Sequence, residues 1–195
     1  MSAVGTDPLL RGTPGIGDGP DVRLLLAALT AEREGQRLLL EGRGDRARPY
    51  LAAASEAYLA SYPLAQPRSW GRLIGAVKAG VLAGEGAPQA RRARAELGGV
   101  ADSPASCYLG ALCAVVLDDA EEALALAPGM RAGGDAFARA ADGIEAIARG
   151  DAPGLAAAVR AIEADFATRE THLTGVPIAD TALMLQMIGA IANVR

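Results

Sequence analysis

The chain has 195 residues, 51% of them apolar and only 4% aromatic, with 19 basic and 23 acidic residues for a net charge of −4. That length suits one domain with a sizeable core, and a weakly acidic balance scattered along the chain directs no strong field at nucleic acid or an anionic membrane. Cys107 and Cys113 fall six positions apart in one apparent helix, on different faces, which is wrong for a disulfide. With a single histidine in the chain the two thiols do not make up a metal site, so no metal and no cofactor are expected. A reduced, cytoplasmic setting fits two buried thiols. Eighteen of the 19 cations are Arg and Lys78 is the lone lysine, a bias read as GC-rich coding.

Residues 1–20, MSAVGTDPLLRGTPGIGDGP, lack the basic and apolar regions of a signal peptide, and their Gly and Pro content predicts a flexible tail ahead of one domain over 21–195. From Asp21 onward Ala, Leu, Arg and Glu dominate and nothing alternates with period two for long, so the chain reads as all-α. Corners at 42–51, 84–93, 117–126 and 149–158 interrupt the helices. Asp45, Glu85, Asp118 or Asp119, and Asp151 stand at or near helix N-caps, and Pro88 and Pro153 suit first turns. First helices are expected at about 21–41, 67–83, 104–117 and 134–149, second helices at about 45–62, 87–97, 119–128 and 152–172, and a closing helix at about 178–193: about nine in all. The longest apolar run, YLGALCAVVL, is too short to span a bilayer.

Ala87, Ala120 and Ala152 hold equivalent places after three of these corners, 33 and 32 residues apart, and Ala87-Pro88 recurs as Ala152-Pro153. Such a period marks stacked antiparallel helical hairpins. Over residues 21–193 the chain resembles the tetratricopeptide class of repeats in period and corner placement, although the Trp-x-x-Leu-Gly-x-x-Tyr run of that class is absent and only Tyr108-Leu109-Gly110 and the regular alanines are shared. The resemblance implies a right-handed superhelix or a compact helical bundle. Helical-repeat bacterial immunity proteins, which block a partner toxin, are similar in architecture.

The densest polar stretch is RETHLTGVPIADTAL, residues 169–183, which holds the one histidine. A helix continuing through ATRETHL puts Asp165, Arg169 and His172 on one stripe, and Asp165 or Asp180 could orient the imidazole as a general base. Each residue there also has a structural post: Gly175 in a left-handed helix stop, Pro177 against continuation, Asp180 at the next helix start. Arg169, His172 and Asp180 are therefore candidates for catalysis or ligand contact as well as a corner. Trp70, in RSWGRLIGAVKAG, shares a face with Ile74 and Val77 and belongs to the core or, if exposed, to a binding surface. Tyr50, Tyr58 and Tyr62 form a seam in the first hairpin, Arg91, Arg92 and Arg94 a solvated face, and Asp118 to Glu122 an acidic helix start.

Two functions follow as expectations. In the first, the inner wall of the stack binds a protein or peptide without catalysis, through Trp70, Tyr108 and Phe137, with Arg169 and His172 as further contacts. Its partner could be a toxin, a regulator or a second copy of the chain in a homodimer, and a small apolar ligand also fits such a surface. In the second, the protein is a small helical enzyme or small-molecule binder with a pocket near Arg169, His172 and Asp180. The absence of a phosphate loop, a zincin motif or a nucleophile elbow favours the first.

Overall fold

The computed structural model describes residues 19–192, in which every regular element is helical. The tail expected over residues 1–20 lies outside this range except for Gly19 and Pro20. Nine α-helices are present among the described residues: α1 (Pro20–Leu40), α2 (Gly44–Ser61), α3 (Trp70–Ala83), α4 (Gly86–Leu97), α5 (Pro104–Val116), α6 (Ala120–Met130), α7 (Asp135–Ala148), α8 (Ala152–Ala167) and α9 (Asp180–Ala192). None is long and apolar enough to cross a membrane.

The helix ends follow from local chemistry. Pro20 and Pro104 open α1 and α5, where no amide donor is needed. Ser103 and Ser106 close a reciprocal capping box on α5, and the carboxylates of Asp119 and Asp151 accept from the amides of Glu122 and Gly154 to cap α6 and α8. Glu85 stands at the N-cap of α4 without a side-chain bond, and Asp45 sits in the first turn of α2. Gly84 ends α3 at φ 89°, a left-handed turn that lets Glu85 N–H reach the Gly80 carbonyl at 2.9 Å.

Two boundaries depart from expectation: α3 begins at Trp70 rather than at about 67, after Arg68 at φ 66°, and the end of α8 moves further. Helix α8 stops at Ala167, so residues 168–172 do not continue it. Thr168, Arg169, Glu170 and Thr171 are all exposed, so another turn would have no side chain to bury, and the Thr168 hydroxyl instead donates to the Asp165 carbonyl at 2.7 Å. Residues 168–179 form an irregular crossing segment.

Each helix packs on its sequence neighbour, α3 also lies against α5, and α5 against α7. Helix α9 returns across this layer to contact α3, α7 and α8. Its approach depends on small residues: a Cβ on Gly143 of α7 would come 2.6 Å from Leu185 of α9, and one on Gly189 of α9 would come 2.4 Å from Leu155 of α8. One continuous core results, in which Leu73, Leu109, Leu112, Ile144, Met184 and Leu185 are fully buried. Cys107 and Cys113 are free thiols inside it, and burial pushes the Cys113 thiol up to about 12.

Candidate functional site

Where the crossing segment passes over α1 and α3 it leaves a cavity of about 230 Å³ whose lining includes Glu32, Gln36, Lys78, His172, Thr174 and Asp180. Four elements distant in sequence supply these groups. Helix α1 places Ala28, Glu32 and Gln36 on one inward stripe at spacings of four, leaving Glu32 only 4% and Gln36 only 2% exposed. Tyr58 of α2 donates to Glu32 Oε2 at 2.7 Å, while Gln36 Nε2 donates to Glu32 Oε1 at 3.3 Å. Gly75 of α3 makes room for the Tyr58 ring, since a Cβ there would stand 3.0 Å from it. The crossing segment is tied to α1 by the Thr174 hydroxyl, which bonds to Gln36 Oε1, and by Arg33 Nε, which donates to the Thr174 carbonyl at 2.6 Å. Gly175, at φ 73°, then turns the chain, its N–H reaching the His172 carbonyl at 2.9 Å.

The wall carries charged groups that are mostly withdrawn from solvent. Lys78 Nζ lies 2.8 Å from Asp180 Oδ2, with the two side chains 16% and 20% exposed. Burial opposes the charge of Lys78, but the Asp180 carboxylate, with contributions from Tyr108 and Glu32, holds the ammonium above its usual range. This amine is therefore a fixed cation rather than a nucleophile. Burial raises the Glu32 carboxyl above the ordinary glutamate range, against the Tyr58 hydrogen bond and the nearby Lys78 charge, which both favour its ionised form; Asp180 adds to the rise. Tyr58 is likewise raised, by burial first and then by Glu32.

A second cavity of about 170 Å³ adjoins this one, with Ile162, Arg169 and Thr181 common to both linings, and continues past Tyr108, Phe137 and Arg139. Asp165 is shared there by two guanidiniums, Arg139 and Arg169, each at 2.6 Å. The hydrogen bond from Arg169 is the largest influence holding the Asp165 carboxyl below its usual range. Two buried polar atoms along these walls have no hydrogen-bond partner of normal geometry among the described residues, His172 Nδ1 and the Tyr108 hydroxyl.

The residues singled out in the sequence are thus partly gathered and partly dispersed. Arg169, His172 and Asp180 all line the one cavity, but the helical stripe expected of Asp165, Arg169 and His172 does not form, because α8 ends at Ala167. Arg169 pairs with Asp165 as anticipated, whereas His172 stands in the crossing segment with its ring stacked on Phe166 at 4.4 Å and is hydrogen-bonded to neither Asp165 nor Asp180. The carboxylate of Asp180 instead serves Lys78. Tyr108 is buried edge-on to Phe137 at 5.8 Å, in the wall of the second cavity, and Trp70 is buried against Tyr62 at 5.9 Å, away from both linings.

Glu32, Gln36, Tyr58, Lys78 and Thr174 were not among the sequence candidates. One signal could have found Lys78, the single lysine of an Arg-rich chain set in the otherwise apolar run IGAVKAGVLAG; nothing local in the sequence marks the other four. Among the described residues no group of histidine, cysteine and carboxylate side chains is arranged to hold a metal ion. Comparison with protein-family models, with curated proteins and with solved structures finds no match for the chain.

Proposed function

We propose that the protein binds a small polar molecule in the cavity beneath its crossing segment. The observation that carries this reading is the set of buried ionisable groups on that cavity's wall. A buried ion pair contributes little to stability relative to apolar side chains of similar size, and a carboxylic acid at the position of Glu32 adds a further desolvation cost. Placing Glu32, Lys78 and Asp180 around 230 Å³ of open space is an arrangement suited to recognition, and concave sites with a few convergent polar groups are where ligands bind. The volume lies below the roughly 300–1,000 Å³ of pockets for drug-sized ligands, so the ligand is small.

The reading as a degenerate helical repeat is supported by the 33- and 32-residue spacing of the corners and by the packing of α3 on α5 and α5 on α7. Within that reading, a protein or peptide bound along the inner wall has less support than a small ligand. Two of its three proposed anchors, Trp70 and Tyr108, are buried, and α9 lies over the first-helix layer where a peptide would lie.

The test uses the single histidine as a reporter. Imidazole-labelled protein gives one histidine spin system, from His172, during titration with a library of small amines, acids, alcohols and amides. A ligand of this site shifts that signal and raises the melting temperature by mass action. A library that leaves the His172 signal unmoved, while a protein partner shifts it, would reverse the preference between the two readings.

A further inference from the structure

The charges along the two adjoining cavities are separated in space. On the inner wall the Asp180 carboxylate pairs with the Lys78 ammonium, and the Glu32 carboxyl, held by Tyr58 and Gln36, lines the same space without an ion-pair partner among the described residues. On the far side of Arg169 two guanidiniums, Arg139 and Arg169, share one carboxylate, Asp165. The carboxyl groups without a guanidinium partner among the described residues, Glu32 and Asp180, thus lie at the inner end and the guanidiniums toward the outer end, with Arg169 lining both cavities, and Glu170, the remaining charge of the crossing segment, lines neither. The two cavities meet at Ile162, Arg169 and Thr181, which belong to both linings. Tyr108, only 8% exposed, lines the outer part with its hydroxyl beside Thr181 and near Lys78 and Asp180, and the His172 Nδ1, without a hydrogen-bond partner among the described residues, belongs to the inner part.

From this arrangement, and resting on the reading of the cavity as a ligand site, we infer that the ligand is a small zwitterion, an amino carboxylate whose ammonium lies against Glu32 and Asp180 and whose carboxylate meets Arg169 and Arg139. Charge-assisted hydrogen bonds at both ends give such a molecule more than either end alone. A bidentate guanidinium–carboxylate contact fixes its orientation. Arg169, with its side chain 46% exposed, is free on the solvent side to turn from Asp165 toward an incoming carboxylate.

The experiment titrates the intact protein with straight-chain aminoalkanoates from 3-aminopropanoate to 6-aminohexanoate, and with amines and alkanoates of matched length, following the His172 imidazole signal. One aminoalkanoate is expected to bind about tenfold or more tightly than either single-charge compound of its length, a difference large enough to measure without ambiguity. In Arg169→Gln that advantage over the amine disappears, and in Glu32→Gln the advantage over the alkanoate disappears. Retained Trp70 fluorescence and helical circular dichroism show that both variants are folded. An amine, an alkanoate or an uncharged compound binding as well as the best aminoalkanoate overturns the zwitterion and leaves the ligand site standing. The same holds if Arg169→Gln keeps the full advantage over the amine. If no compound of this set or of the wider library moves the His172 signal, both inferences fall.

Discussion

Helix α9 borders open space at each of its ends, and the two spaces are opposites. At its first turn Asp180 and Thr181 border the charged cavity of about 230 Å³. At its last turns Ile188 and Ile191 border a cavity of about 290 Å³ lined mostly by apolar groups, Val81, Pro88, Val115 and Val116 among them, whose charged members Glu85 and Asp118 are both solvent-exposed rather than buried. The apolar space needs no special explanation: a core assembled from alanine, valine and glycine at helix corners has few large side chains with which to close its gaps. The charged space does need one, because lysine and carboxylates buried there must be held by named partners or they destabilise the fold. Similar volume therefore carries different information at the two ends, and chemistry rather than size marks the site.

Breaking the charged end should cost most. Asp180→Ala leaves the Lys78 ammonium buried without its carboxylate and is expected to lower stability by about 3–5 kcal/mol, which at roughly 2–4 °C per kcal/mol for a chain of this size corresponds to a fall of roughly 10 °C in Tm. Urea unfolding followed by Trp70 fluorescence measures it, and replacing both partners together as Lys78→Met with Asp180→Leu should recover most of the loss. At the apolar end Ile188→Ala should cost about 2–3 kcal/mol, the lower part of the range for such truncations, because the side chain already borders open space and has fewer contacts to lose. No partner substitution should rescue it. A double replacement at Lys78 and Asp180 that is as unstable as Asp180→Ala alone would erase the distinction between the two ends.

The smallest effect concerns pH. Glu32 is held above its ordinary value chiefly by burial, so the folded protein binds a proton there more tightly than the unfolded chain. Its contribution to stability must grow as pH falls from above the folded value toward the ordinary glutamate value, and shrink as pH rises through that window. Carboxylates such as Asp165 and Asp119, whose values are lowered by their partners, act in the opposite sense and lose stability as pH falls. The difference between the parent protein and Glu32→Gln isolates the first effect. The variant should lie within about 1 kcal/mol of the parent at neutral pH, and the parent should gain on it on acidification. A difference independent of pH between 4 and 7 would show that Glu32 binds its proton no more tightly in the folded protein than in the unfolded chain.

The helices were legible in the sequence because their ends are local events. Asp119 and Asp151 cap, Pro104 opens and Gly84 closes through atoms within a few residues of themselves, so punctuation alone placed them. The end of α8 was not legible in the same way: Thr168, Arg169, Glu170 and Thr171 are acceptable in a helix, and what stops it is the absence of anything for them to bury. The site was half legible. Arg169, His172 and Asp180 were marked by the density of polar groups around a glycine and a proline, whereas Glu32 and Gln36 read as ordinary helix residues until the chain returns Thr174 to them from 138 positions away. Lys78 stood out in the composition and was assigned to coding bias, since nothing nearby in sequence announces Asp180 as its partner.

The glycines under α9 carry a final implication. Gly143 meets Leu185 and Gly189 meets Leu155 with no space to spare for a methyl group, so these contacts act as a fulcrum on which the helix rests. A methyl added at either point must displace the tip of the leucine it meets, and where that side chain has no other rotamer open to it the helix shifts instead, carrying its leading end, where Asp180 faces Lys78, with it. Selection could thus retune what the charged chamber accepts through substitutions far outside its walls, and a search for altered preference should begin with those two positions as well as with the lining itself.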